Sequence, residues 1–288
     1  RISYSFEEDN HKVRLKEHDG RVDFKELNLV QNVVESQVLA RKIPAEPGEA
    51  GRTVTGKLLP AKDGQDTRID VGKNVRLSED GKTAVAEMNG QVILAAGKIN
   101  VEPVYVVNGN VDLKTGNILF LGAVVVNGSV EDGFTVKAAG NVEVTGNVGK
   151  CEIDAEGDII VHQGITGKGS GSVKAGGSIW CKFIENSHVE SGELVVVSDG
   201  IINSEVFANK KVICRGKRAS IVGGRVRSAE EIDAKTLGSV AGMETLLEVG
   251  WDPKSKERQQ ELEVSRDELT EKLEEIKLNL ATLENQKK

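Results

Sequence analysis

Gly51, Gly56 and Lys57 stand at the spacing of a phosphate-binding loop, where glycine amides and a lysine cradle phosphate oxygens. The residue after the lysine is Leu58, so the hydroxyl that would hold Mg²⁺ is missing. Pro44 and Pro47 precede the segment and no long helical pattern follows, so it is read as a β-hairpin. A second glycine-rich run, with Gly167, Gly169 and Gly171, resembles a flexible phosphate cradle. It falls inside a repeat unit of 20 residues and reads as a bulged corner.

His162 and His188 invite comparison with solenoid acyltransferases, which use a histidine in a groove between coils. Each sits beside a residue assigned inward, Val161 and Val189, so both are expected to point outward. Their separation of 26 residues is not a whole number of coils. Asp154, Glu156, Asp158 and Glu190 supply outward carboxylates, but glycoside cleavage needs two of them about 5–9.5 Å apart in a cleft. Aromatics, at 3%, are too scarce for sugar stacking. Cys151, Cys181 and Cys214 form no CxxC pair and are expected to be buried reduced thiols in a reducing compartment. The sequence therefore assigns no catalytic, cofactor-binding or metal-ligating residue.

The elements that hold these residues follow from glycine and proline. The chain has 288 residues with 32 Gly and 5 Pro; residues 104–252 contain 23 of the glycines and no proline. Within that stretch Ile118, Val136, Ile153, Val173, Val189, Val206 and Val226 recur 18, 17, 20, 16, 17 and 20 residues apart. After each, except in the first copy, the third position is Ala or Ser. Between them apolar and polar residues alternate, as in Val142, Val144 and Glu143, which is the period of a half-buried strand. A unit of about 18 residues that buries its face only on its neighbours predicts a parallel β-helix. Val136, Val144, Ile153, Val161, Val173, Val189, Val206 and Val226 are its expected core.

Residues 1–103 read as a small β-rich domain. A hairpin is expected over 12–16 and 21–24, with further strands at 35–43, 52–59 and 90–94. Residues 251–288 change to helical spacing. Leu262, Leu269, Leu273, Ile276, Leu280 and Leu283 fall at intervals of 7, 4, 3, 4 and 3, the seam of a coiled coil. Asp252 and Pro253 suit its start. A lone helix cannot bury that stripe, so self-association through the C-terminal helix is expected. The opening Arg1 and the seam running to Lys288 in mid-pattern lead one to expect a piece of a longer protein.

With 38 basic and 45 acidic residues the net charge is −7, which gives no global pull on nucleic acid. No stretch is apolar enough to span a bilayer as a helix.

Several runs resemble the bacterial flagellar assembly protein A family. They are 37–44 with 47–56, 107–112 with 115–118, 176–179 with 182–186, and 221–225 with 238–242. The resemblance implies a β-solenoid core, a preceding β-rich domain and a coiled-coil arm. It also implies a cytoplasmic, non-enzymatic role in flagellar or polar assembly, with protein partners and no cofactor. Members carry a continuation after the coiled coil, which implies that the helix returns on itself. Bactofilin-like filaments, self-polymerising through β-helix ends, are the alternative; a solenoid enzyme handling acyl groups or sugars is the second.

Overall fold

The computed structural model describes residues 1–7, 16–18, 21–23, 30–240, 242–250, 262–267, 269–270 and 272–273. From Val104 to Val249 the chain winds as a parallel β-solenoid. One row of residues counts the coils: Val111, Val130, Val148, Ile165, Ile184, Ile201, Ile221 and Leu237 pair in parallel, one above the next. That makes eight coils, and at about 4.8 Å per coil the rod is about 34 Å long.

Each coil has three sides. On the first face Ile118, Val136, Ile153, Val173, Val189, Val206, Val226 and Leu247 stack in register. This is the same alignment as the repeat in the sequence. On the second face Tyr105, Val124, Val142, Ile159, Ile179, Val195, Val212 and Ile232 stack likewise. The row led by Val111 forms the third side. β-Branched side chains suit such columns because each meets its own kind at one fixed spacing on the pleated surface.

The small third position has a steric cause. Ala138, Ala155, Ala175, Ser191, Ala208 and Ser228 are buried where the first face turns into the corner. Past that corner a Cβ on Gly192 would lie 2.0 Å from the carbonyl oxygen of Gly176, so the coils touch backbone to backbone there. The other corners hold polar ladders. Asn141 accepts a hydrogen bond from the Asp158 amide at 2.9 Å, and Asp158 accepts one from the Ser178 amide at 2.8 Å. Buried Ser187 accepts from the Gly167 amide at 2.7 Å and donates to the Glu185 carbonyl at 2.8 Å. A buried hydroxyl is thereby satisfied on both counts.

Unequal coil lengths are absorbed at corners. Thr166 and Gly171 of one coil oppose Glu185 and Ser187 of the next, so four residues stand against one. Similarly, Val197 and Gly200 oppose Cys214 and Ser220, leaving Arg215, Gly216, Lys217, Arg218 and Ala219 as a corner insertion.

The N-terminal region has a core of its own around Leu39, Ala84, Val92, Ile99 and Val101. A four-stranded antiparallel sheet runs in the order Ile2–Tyr4, Val38–Lys42, Thr83–Ala86 and Val75–Leu77. Lys98–Glu102, Gly90–Ala95 and Asn32–Val33 form a second sheet. Lys16–His18 pairs with Arg21–Asp23 as an antiparallel ladder. Two expectations change. The strand over 35–43 begins only at Val38, because Ser36 takes a left-handed φ of 67° and turns the chain. The strand expected over 52–59 is divided by the turn of the hairpin read at Gly51 to Lys57, with Gly51–Arg52 against Leu58–Leu59.

At the C-terminal end the described helical residues are 262–267, 269–270 and 272–273, which make no long helix. No second helix faces them among the described residues, so a coiled coil is not supported: its seam needs a partner, and the described residues hold none. Ile276, Leu280 and Leu283 lie outside the described residues. No helix of the described residues is long and apolar enough to cross a membrane.

Candidate functional site

The phosphate-loop spacing is used up by a turn. The Thr53 amide donates to the Lys57 carbonyl at 2.8 Å, and the Gly56 amide donates to the Thr53 carbonyl at 2.9 Å. The Lys57 amide donates to Thr53 Oγ1 at 3.0 Å. A phosphate cradle needs such amides free and convergent, and these three are spent inside the hairpin. Val54 at its tip is fully exposed. The second glycine run forms the bulge described above, with Lys168 and Gly169 at φ of 50° and 88°, and Lys168 reaches back to pair with Asp132.

His162 projects from the second face and His188 from the first, so the two histidines share no groove. His162 Nε2 lies 2.8 Å from Glu143 Oε1 on the preceding coil. His188 lies between Glu190 at 3.0 Å and Glu205 at 3.3 Å. Two of the outward carboxylates, Asp158 and Glu190, are likewise engaged. Lys137, Asp154, Lys174 and Glu190 alternate in sign on successive coils, with Lys137–Glu152 at 2.9 Å and Lys174–Glu190 at 3.2 Å. Partial burial pushes the Glu190 carboxyl up, but hydrogen bonds from His188 and Lys174 outweigh it and hold the group below its ordinary value. A general acid needs the opposite shift.

The expected core valines and isoleucines, Val136, Val144, Ile153, Val161, Val173, Val189, Val206 and Val226, are all at most 2% exposed. Cys151, Cys181 and Cys214 are buried and free, and burial pushes each thiol up. Among the described residues no group of three or more His, Cys, Asp or Glu side chains could hold a metal.

Sequence reasoning missed a depression of about 150 Å³ lined by His188, Glu205, Val206, Phe207, Arg225 and Arg227. Arg225 and Arg227 converge there on Glu248, at 3.2 and 2.6 Å. The signal was present: two arginines at i and i+2 on a strand share a face. Glu248 offsets one of their two positive charges and Glu205 lines the same depression with a second carboxylate, so it offers an incoming anion little.

The two ends of the rod differ more than its sides. At the N-terminal end Asn32 donates from Nδ2 to the Leu119 carbonyl at 2.7 Å and accepts from the Leu121 amide at 3.1 Å. Val30 packs on the core beside it. Among the described residues, the last-coil strands Glu231–Asp233, Thr236–Leu237 and Thr245–Val249 each pair with one neighbour, as the first-coil strands Val104–Val107 and Ile118–Phe120 do, but nothing comparable to Asn32 and Val30 covers the last coil. Beyond them, Leu262, Leu269 and Leu273 are 54–59% exposed.

Comparison with known proteins agrees with this architecture. Residues 103–288 match the family described as Flagellar Assembly Protein A beta solenoid domain. Residues 1–97 match the family described as Flagellar Assembly Protein A N-terminal region. No curated protein and no solved structure matches the chain.

Proposed function

The chain belongs to the Flagellar Assembly Protein A family, and on that premise we propose that it is a non-enzymatic scaffold of flagellar or cell-pole assembly. The observation that carries this reading is where the polar side chains go. His162, His188, Glu190 and the amides of the Gly51–Lys57 turn are engaged by neighbouring coils or by their own turn, which makes a rigid rod with distinct ends. The N-terminal domain stands at one end and the leucine stripe leaves from the other. We place it in the cytoplasm, working through protein partners that include flagellar or polar assembly factors. Self-association runs through Leu262, Leu269, Leu273, Ile276, Leu280 and Leu283. The acidic balance disfavours nucleic acid as a partner, and the reading requires no cofactor.

The filament alternative is disfavoured by Asn32 and Val30. End-to-end polymerisation needs two open coil ends, and these residues close one.

The test is flagellation and swimming of a deletion strain supplied with variants. Lys57→Ala, His162→Ala and His188→Ala should each restore motility, whereas Leu269→Glu with Leu273→Glu should not. A folded His188→Ala protein that fails to restore motility would return the enzyme reading to first place.

A further inference from the structure

We propose that the open last coil is a self-complementary contact surface that binds the last coil of a second copy, tail to tail. This rests on the self-association in the reading above and names the surface that sets its geometry. Three observations carry it.

First, the interior columns surface at this coil; at the opposite end Tyr105 is partly buried as well, but Val111 and Ile118 there are at most 3% exposed. Leu237 is 56% exposed, while the seven residues stacked below it, Val111 to Ile221, are at most 1% exposed. Ile232 and Leu247 are only partly buried, although the residues beneath them from Val124 and Ile118 onward are at most 3% exposed. Val249 and Leu246 add 56% and 40% exposure on the same coil.

Second, the same coil ends the sheets. Among the described residues no strand pairs with the outer edges of Glu231–Asp233, Thr236–Leu237 or Thr245–Val249, so their backbone donors and acceptors lack ladder partners on that side. An edge of this kind recruits another edge.

Third, the opposite end is not available to it. Asn32 and Val30 close the first coil, where Val111 and Phe120 stay fully buried. Among the described residues the outer edges of Val104–Val107 and Ile118–Phe120 have no ladder partner either, but the N-terminal residues over them obstruct head-to-tail stacking, so the matching surface for a last coil is another last coil. A two-fold axis across the rod then pairs the edges antiparallel and stops the assembly at two chains. Leu262, Leu269 and Leu273 do not fill the role, because they remain 54–59% exposed. One coil's cross-section is also small against the roughly 800 Å² per partner of a standard interface. The chain continues from Gly250 of that last coil toward the leucine stripe, and the self-association proposed for the stripe adds its area to the contact.

The experiment uses the full chain. Light scattering should give twice the chain mass for the wild type. Leu237→Lys and Val249→Lys, at positions already more than half exposed, should each weaken dimerisation at least about tenfold while leaving the circular dichroism spectrum unchanged. Spin labels fix the arrangement, because the native cysteines are buried and a label reads only an introduced thiol. A label on Lys235→Cys should report a partner label near the two-fold axis, within about 50 Å, whereas Glu35→Cys labels stand about 70 Å apart or more, twice the rod length. A monomeric wild type overturns the proposal. So does a dimer that survives both lysine variants but is lost in Leu269→Glu with Leu273→Glu, since the arms alone then carry it. Mass that keeps growing with concentration, or close labels at Glu35→Cys, overturns the tail-to-tail geometry. None of these readouts depends on motility, so the assembly role stands or falls separately.

Discussion

Asn203 donates from Nδ2 to Asn186 Oδ1 at 2.7 Å across one coil, and the two residues hold left-handed φ values of 45° and 49°. Asparagine tolerates that conformation and stacks on its own kind. One coil further on, Gly223 holds the same corner at φ 72°.

Asn203→Gly should therefore cost little, about 1 kcal/mol or less, for the lost side-chain bond. Asn203→Val, a β-branched residue forced to positive φ, should cost about 2 kcal/mol or more. Urea unfolding of the two variants checks the order; equal losses would mean that the backbone conformation is not what the corner selects.

Val144 and Val161 lie directly over one another and are at most 2% exposed. Val144→Asp or Val161→Asp places a charge in an unbroken apolar column and should abolish folding. Lys137→Asp on the outer face loses only an ion pair whose partners are about half exposed. Its unfolding midpoint should correspond to a loss under about 1 kcal/mol.

Lys168 lies on one coil corner and Asp132 two coils below it. Its ammonium, with the Lys150 amide, holds the Asp132 carboxyl below its ordinary value of 3.8. A depressed carboxylate stabilises the fold above its unfolded value, and that contribution fades as pH falls through the folded value. In an NMR titration Lys168→Ala should move the Asp132 midpoint upward toward 3.8 without disturbing Asp80, which is held down by Ser78.

Burial pushes the Cys151 thiol up to about 12 and the Cys214 thiol up to about 11. For a raised value the stabilising contribution is complete below the unfolded thiol value near pH 8.5. It fades as pH rises past that point toward about 11 and 12. Native protein at pH 8 should react negligibly with a thiol reagent, and all three cysteines should react in urea. Replacing them by Ala at 151 and Val at 181 and 214 should flatten the loss of stability above about pH 9; an unchanged slope would assign that loss to other groups.

Asn32→Ala should free the Leu119 carbonyl and the Leu121 amide at once. The expected cost is about 1–2 kcal/mol. Hydrogen exchange should rise first at Leu121 and leave Val144 protected, which a general loosening of the rod would not do.

The columns were legible in the sequence because a solenoid repeats one local problem. A β-branched residue at Ile118, Val136 and their successors meets the same neighbours each time, so period and register coincide. Asn186 and Asn203 were legible in principle, since Gly223 at the equivalent position marks a left-handed corner. Asn32 was not. Its partners lie 87 and 89 residues away in another fold unit, and no local pattern encodes such a distance. The convergence of Arg225 and Arg227 on Glu248 is hidden for a related reason, because it depends on which coils are adjacent. The leucine stripe shows the converse: Leu262, Leu269 and Leu273 declare a need for cover, but spacing alone does not name what supplies it.

The corner insertion between Cys214 and Ser220 adds chain without adding height, since Ile201 and Ile221 still pair as neighbours. Residue count and axial distance are therefore independent quantities in this molecule. Loops at the corners can be lengthened and recharged freely, as Arg215, Lys217 and Arg218 illustrate, while the separation of the two ends changes only in whole steps of about 4.8 Å. The rod is a ruler with fixed graduations: what it holds apart is set by the number of coils, and what it displays along the way is set by the loops.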